Sequence, residues 1–150
     1  MTETSHTIRT LNGLIATTID SVDGYEESAK AVDSGRFADL FRARATERKQ
    51  VAEQLRGEVR RLGGNPKDDG TLLAGAHRVF VGLKAIVATR EDAAVIAEVE
   101  RGEDHIKAKF ESALADDDVA FETRAAVEHA YGSVKAGHDQ MRDLKHSLDA

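Results

Sequence analysis

Four long stretches of this chain repeat apolar residues at alternating spacings of three and four. The first runs Ile8, Leu11, Ile15, Thr18, Val22, Tyr25, Ala29, Val32, and the second Phe37, Phe41, Ala45, Val51 or Ala52, Leu55, Val59, Leu62. The third is Ile96, Val99, Ile106, Phe110, Ala113, and the fourth Phe121, Val127, Tyr131, Val134, His138, Met141, Leu148. Such a period lays one continuous stripe along a helix and predicts bundle packing. The composition agrees. A single Pro interrupts the 150 residues, and the chain is rich in Ala, Glu, Leu, Arg and Lys, which lose little rotamer freedom in a helix.

The breaks between stripes set the topology. Asp33-Ser34-Gly35 and Asp116-Asp117-Asp118 read as tight turns with built-in N-caps, and Gly63-Gly64 as a helix stop. Asn65 to Gly70 contains the Pro, and a shorter apolar segment, Leu72 to Val87, follows it. Helices are predicted over about 7–32, 35–62, 71–88, 91–115 and 119–147 in one domain, 1–150. The link of about 25 residues between the second and third long helices is long enough to travel the bundle. It makes those two helices parallel, the connectivity of ferritin-like folds. The expected fold class is therefore all-α, a ferritin-like four-helix bundle with a long crossover containing a short helix.

Charge and composition exclude several function classes. A net charge of −6 opposes nucleic acid as a main partner, because phosphate neutralisation needs a basic face. The chain has no Cys, which removes disulfides, thiolate metal sites and cysteine nucleophiles. No apolar run approaches the ~20 residues of a membrane span. The N-terminus lacks the basic-then-apolar pattern of a secretory signal, so a cytoplasmic location is expected.

One residue breaks the third stripe. Continued at its own spacing, the row requires an apolar residue at 103, and the chain has Glu103. A carboxylate buried there without a partner would cost several kcal/mol, so it needs a cation, a proton or a metal. Parallel second and third helices place Glu47 at the height of Glu103, each about 13 residues into its helix. Ferritin-like di-metal sites combine a Glu from each of two helices with Glu-x-x-His from each of the others. Here Glu47 opens a Glu-x-x-Gln ending in Gln50, and Glu100 lies one turn before Glu103. Glu26 is offered by the first helix, with Asp23 and Glu128 in reserve and His129 beside Glu128. Iron or manganese would suit such oxygen-rich ligands. Arg48 offers a competing partner, because a guanidinium facing Glu103 or Glu100 would occupy the cation's place. Gly102 suggests either close approach by a neighbour or a plain surface position. His138 is expected to be a hydrogen-bonded core histidine, distant from the Glu47–Glu103 level.

Several pieces form one ordered set: Asp23-Gly24-Tyr25, Arg-Leu-Gly-Gly-Asn-Pro at 61–66, His77-Arg78, and Glu100-Arg101-Gly102-Glu103-Asp104. Over roughly residues 7–146 the chain resembles a bacterial ferritin-like four-helix-bundle family described as a domain of unknown function. The resemblance implies a ferritin-like bundle, often stress-associated, and does not imply ferroxidase chemistry. Two functional expectations follow. The first is a non-enzymatic bundle, stress-related, whose acidic centre is degenerate and neutralised by Arg48. The second is a di-metal carboxylate protein using Glu26, Glu47, Glu100 and Glu103 in dioxygen or peroxide chemistry. A homo-oligomer, a dimer first, is expected in either case, and the Leu72–Val87 segment is its candidate interface.

Overall fold

The computed structural model describes residues 2–68 and 92–149. The expected short helix over 71–88, the proposed interface on it and most of the crossover lie outside the described residues. Those described form four helices, α1 (Thr2–Ala31), α2 (Gly35–Arg61), α3 (Asp92–Leu114) and α4 (Phe121–Asp149), and no strand. The protein is an all-α four-helix bundle.

Local chemistry sets the helix ends. Ser34 caps α2, its hydroxyl accepting a hydrogen bond from the Phe37 amide at 3.3 Å. At the other end Gly63 adopts φ 83°, a left-handed conformation that Gly enters without a Cβ penalty. The Gly63 amide donates to Arg60 O and the Gly64 amide to Val59 O, both at 2.9 Å. This is the paired bonding of a Schellman stop, and it satisfies carbonyls that the helix leaves open. Helix α1 starts several residues earlier than its apolar stripe, at Thr2.

Helix α1 packs on α2 and α3, and α4 packs on α3 and α2, so α2 and α3 face each other across the bundle axis. Cross-helix bonds fix their directions. The Asp92 carboxylate, at the start of α3, accepts from the Asp33 and Ser34 amides at the start of α2. Near the far end of α2, Glu58 accepts from Thr123 at the start of α4, and His6 in the first turns of α1 meets Asp116 after α3. Helices α2 and α3 therefore run parallel, each antiparallel to its neighbours.

The apolar stripes close into two core clusters. One gathers Leu11, Ile15, Leu55, Val59, Ile106, Phe110 and Val127, and the other Val22, Tyr25, Phe41, Val95, Ile96 and Met141. Burying each Leu, Ile or Phe side chain contributes about 1.5–3 kcal/mol, which holds the helices together. Phe121, assigned to the fourth stripe from its spacing, is 82% exposed. It is the first residue of α4, where the chain has only just joined the bundle, and Thr123 is the first fully buried residue of that helix.

Candidate functional site

Between the two apolar clusters lies a charged layer. Glu103 is 2% exposed and Arg48 0%. Arg48 Nη1 donates to Glu103 Oε1 at 2.7 Å and Nη2 to Oε2 at 2.5 Å, the two-pronged pairing that a planar guanidinium makes with a carboxylate. The pair bridges the diagonal of the bundle, from α2 to α3. Arg48 also donates to Ser21 Oγ on α1 at 2.7 Å and to the Val134 carbonyl on α4 at 3.4 Å. Four of the five guanidinium N–H groups are thereby engaged, and Nε is buried without a partner. All four helices contribute to this one level.

Tyr25 completes the layer. Arg48 lies 5.6 Å from its ring centroid, close enough for cation–π attraction. Its hydroxyl is buried and makes no hydrogen bond of ordinary geometry. Burial, and then the Glu103 charge, push the Tyr25 pKa well above its ordinary value. Burial works to lower the Arg48 pKa, but the Glu103 charge and hydrogen bonds outweigh it and the net direction is upward. Both shifts favour a permanently charged Arg48 against a neutral tyrosine.

Gly137 on α4 makes room for the guanidinium. A Cβ built there would overlap Arg48 Nη2 and stand 3.1 Å from Glu103 Oε2. Gly102 has no such neighbour within 4 Å and is exposed, so of its two sequence readings the surface one holds. The significant glycine lies on the opposite helix. A signal for it exists in the sequence, because Val127, Val134, Gly137 and Met141 share the stripe, and a stripe glycine marks close approach.

The carboxylates predicted as metal ligands sit apart, each with its own base. Glu103 has Arg48. Glu47 pairs with Arg44 at 2.7 Å and accepts from Ser133, Glu26 pairs with Lys49 at 3.0 Å, and Glu100 pairs with Lys145 at 3.1 Å. Glu47 and Glu103 do share a level, since Arg48 next to Glu47 reaches Glu103. Adjacent helical residues point roughly 100° apart, so Glu47 faces the α2–α4 surface while Arg48 faces the core. Asp23 is half-buried, and burial first, then Glu26, Asp20 and Glu27, raise its pKa. Glu128, His129 and Gln50 are exposed.

His138 is buried with Nε2 2.7 Å from Asp104 and Nδ1 3.1 Å from Asp139, a hydrogen-bonded histidine at the core edge. It is not distant from the charged layer, as its place in the sequence suggested. Residues 133–138, not 128–129, form the α4 level opposite Arg48, because Ser133, Val134 and Gly137 all meet it or its neighbour. Among the described residues the group of three or more metal-type ligands with atoms within 4.8 Å of one another is His6, Asp116 and Asp118, at the bundle's end. There His6 already bonds Asp116 at 2.7 Å and the Asp118 amide bonds Asp116 Oδ1.

Fold and site together define a class: a four-helix bundle whose centre is closed by a buried, four-helix ion-pair layer. The chain belongs to the family described as Domain of unknown function (DUF2383), which matches residues 6–116. That match spans α1, α2 and α3 and therefore includes both Arg48 and Glu103. No curated protein matches the chain. No helix among the described residues is long and apolar enough to cross a membrane.

Proposed function

We propose that this chain is a non-enzymatic bundle of ferritin-like type, in which the Arg48 guanidinium holds the place that a metal centre would take. The observation that carries the reading is the two-pronged Arg48–Glu103 pair at the bundle axis. A divalent cation beside it would meet a fixed positive charge and a carboxylate whose two oxygens are already engaged. The other candidate ligands each face a separate base, so the donor set does not suit iron or manganese.

On this reading the layer acts as a register device. A buried pair satisfied by four helices penalises any sliding of one helix against another, since slippage would strand a charge in the core. The resemblance adds a stress-related role, and a homodimer is the simplest assembly for a cytoplasmic bundle of this size.

Metal content separates this reading from a di-metal carboxylate protein. The protein is purified without chelator from cells supplemented with iron and manganese, alongside the variants Glu103→Ala and Glu100→Gln. The expected result is no stoichiometric metal in any of the three. Stoichiometric iron or manganese in the native chain that disappears in either variant would overturn the proposal.

A further inference from the structure

An open groove of about 510 Å³ runs between α1 and α3, and it is lined by none of Ser21, Tyr25, Arg48, Glu103 and Gly137. Its α1 wall carries Arg9, Gly13 and Thr17, and its α3 wall His105, Lys109 and Ser112. These are stripes of spacing three and four on antiparallel helices. Since His6 meets Asp116 at one end, Arg9 lies level with Ser112, Gly13 with Lys109, and Thr17 with His105. The groove therefore presents a basic group at three successive levels over about 12 Å, at 1.5 Å per residue.

Arg9, His105 and Lys109 make no ion pair or hydrogen bond with any described residue, and all three are exposed. Several bases elsewhere on the bundle, among them Arg44, Lys49, Arg56, Lys107 and Lys135, do each have a carboxylate. In a chain of net charge −6 the overall field repels anions, so a row of unneutralised bases creates a local reversal of sign. Gly13 leaves open space above the groove, with nothing within 4 Å of a Cβ placed there. Asp116 lines one end of the groove. A long polyanion running past that end would meet Asp116, Asp117 and Asp118 in succession, which limits the groove to a small molecule.

We propose that this groove binds a phosphorylated small molecule carrying several negative charges. Arg9 supplies a planar fork for phosphate oxygens, Lys109 supplies further positive charge, and the His105 imidazole N–H and the Ser112 hydroxyl donate hydrogen bonds. Inorganic tripolyphosphate is the probe, titrated calorimetrically into the full chain at low ionic strength.

The expected result is saturable binding that weakens about tenfold in Arg9→Gln and in Lys109→Gln, as loss of one charge-assisted contact predicts. Gly13→Leu, which fills the groove, is expected to remove binding. Lys67→Gln takes away an exposed base outside the groove and is expected to leave binding unchanged. All four positions are exposed, and an unchanged urea midpoint verifies that each variant folds. Absence of saturable binding, or an equal response of Lys67→Gln and Lys109→Gln, would overturn the proposal. Citrate binding as tightly as tripolyphosphate would overturn the phosphate assignment.

Discussion

Gly137 on α4 stands where any side chain would collide with the Arg48 guanidinium, and that near-contact is what lets α4 close over the charged layer. Gly137→Ala is expected to destabilise the bundle by about 1–3 kcal/mol, the usual cost of overpacking, despite Ala's better helix propensity. Gly102→Ala, on an exposed and uncrowded face, is expected to stabilise by up to about 1 kcal/mol. Urea denaturation midpoints measure both. Equal effects at the two glycines would mean that α4 does not approach Arg48 as described.

Arg48 and Glu103 form a unit. Glu103→Ala leaves a buried guanidinium and is expected to cost about 3–5 kcal/mol. The double replacement Arg48→Met/Glu103→Leu removes both charges while keeping volume, and is expected to cost less than either single replacement. A double-mutant cycle in urea tests this. Additive losses would show that the two charges are not coupled.

Acid should weaken the fold through surface carboxylates. The Arg61 hydrogen bond holds Glu58 below its ordinary 4.5, Tyr131 and Lys107 do the same for Glu111, and His6 holds Asp116 below 3.8. Lys135, then His138, take Asp139 down to about 2. Between the ordinary and lowered values the unfolded chain binds more protons, so stability rises with pH there. The expected loss on acidification begins near 4.5 and is complete near 2. Asp139→Asn should flatten the lowest part of a urea-midpoint profile. Asp23 works in the opposite sense. Its raised pKa means that its charge opposes folding at neutral pH, so Asp23→Asn is expected to raise the midpoint there.

The alkaline side reports on the two tyrosines. Tyr131 is pushed up to about 12 by its hydrogen bond to Glu111, and Tyr25 well above 10.0 by burial. Above 10.0 the unfolded chain gives up the Tyr25 proton that the folded chain keeps, so stability falls as pH rises. The native protein should show almost no tyrosinate ultraviolet absorbance at pH 10.0. Tyr25→Phe should remove the Tyr25 share of the alkaline loss of stability and leave the share that Tyr131 contributes. An early tyrosinate signal that this substitution abolishes would place Tyr25 in contact with water.

The turn after α2 offers a separate test. Gly63 has φ 83°, so Gly63→Ala is expected to cost about 1 kcal/mol. Gly64→Ala meets Ile8 Cδ1 at 2.9 Å and Val59 Cγ1 at 3.1 Å instead. Pairing Gly64→Ala with Ile8→Val should restore part of its loss, whereas Ile8→Val should not help Gly63→Ala.

Much of the bundle could be read from residue spacing. The three-four stripes locate the four helices because burial against a neighbour depends on the same period that the backbone imposes. Asp33-Ser34-Gly35 and Gly63-Gly64 locate two ends because capping is local chemistry. Phe121 was misplaced because period alone does not say where a helix first meets its neighbours. His138 was set apart from the Glu103 level for a related reason: spacing puts it near the stripe beside Gly137, and only the approach of Gly137 to Arg48 fixes which part of α4 faces the layer.

Sequence by itself determined that a carboxylate at 103 would lie in the core and would need a partner, since an apolar row fixes the direction of every residue on it. It also supplied the candidate, Arg48, and the parallel run of its helix. Which cation Glu103 faces was decided by tertiary structure alone. The choice between Arg48 and a shared metal depends on contacts of 2.5 to 3.4 Å that Arg48 makes with the other three helices, and on one missing Cβ at Gly137. The same holds for the carboxylates that spacing grouped together: Glu26, Glu47 and Glu100 were separated by rotation about their helix axes, and each was neutralised by a base from a neighbouring turn or helix.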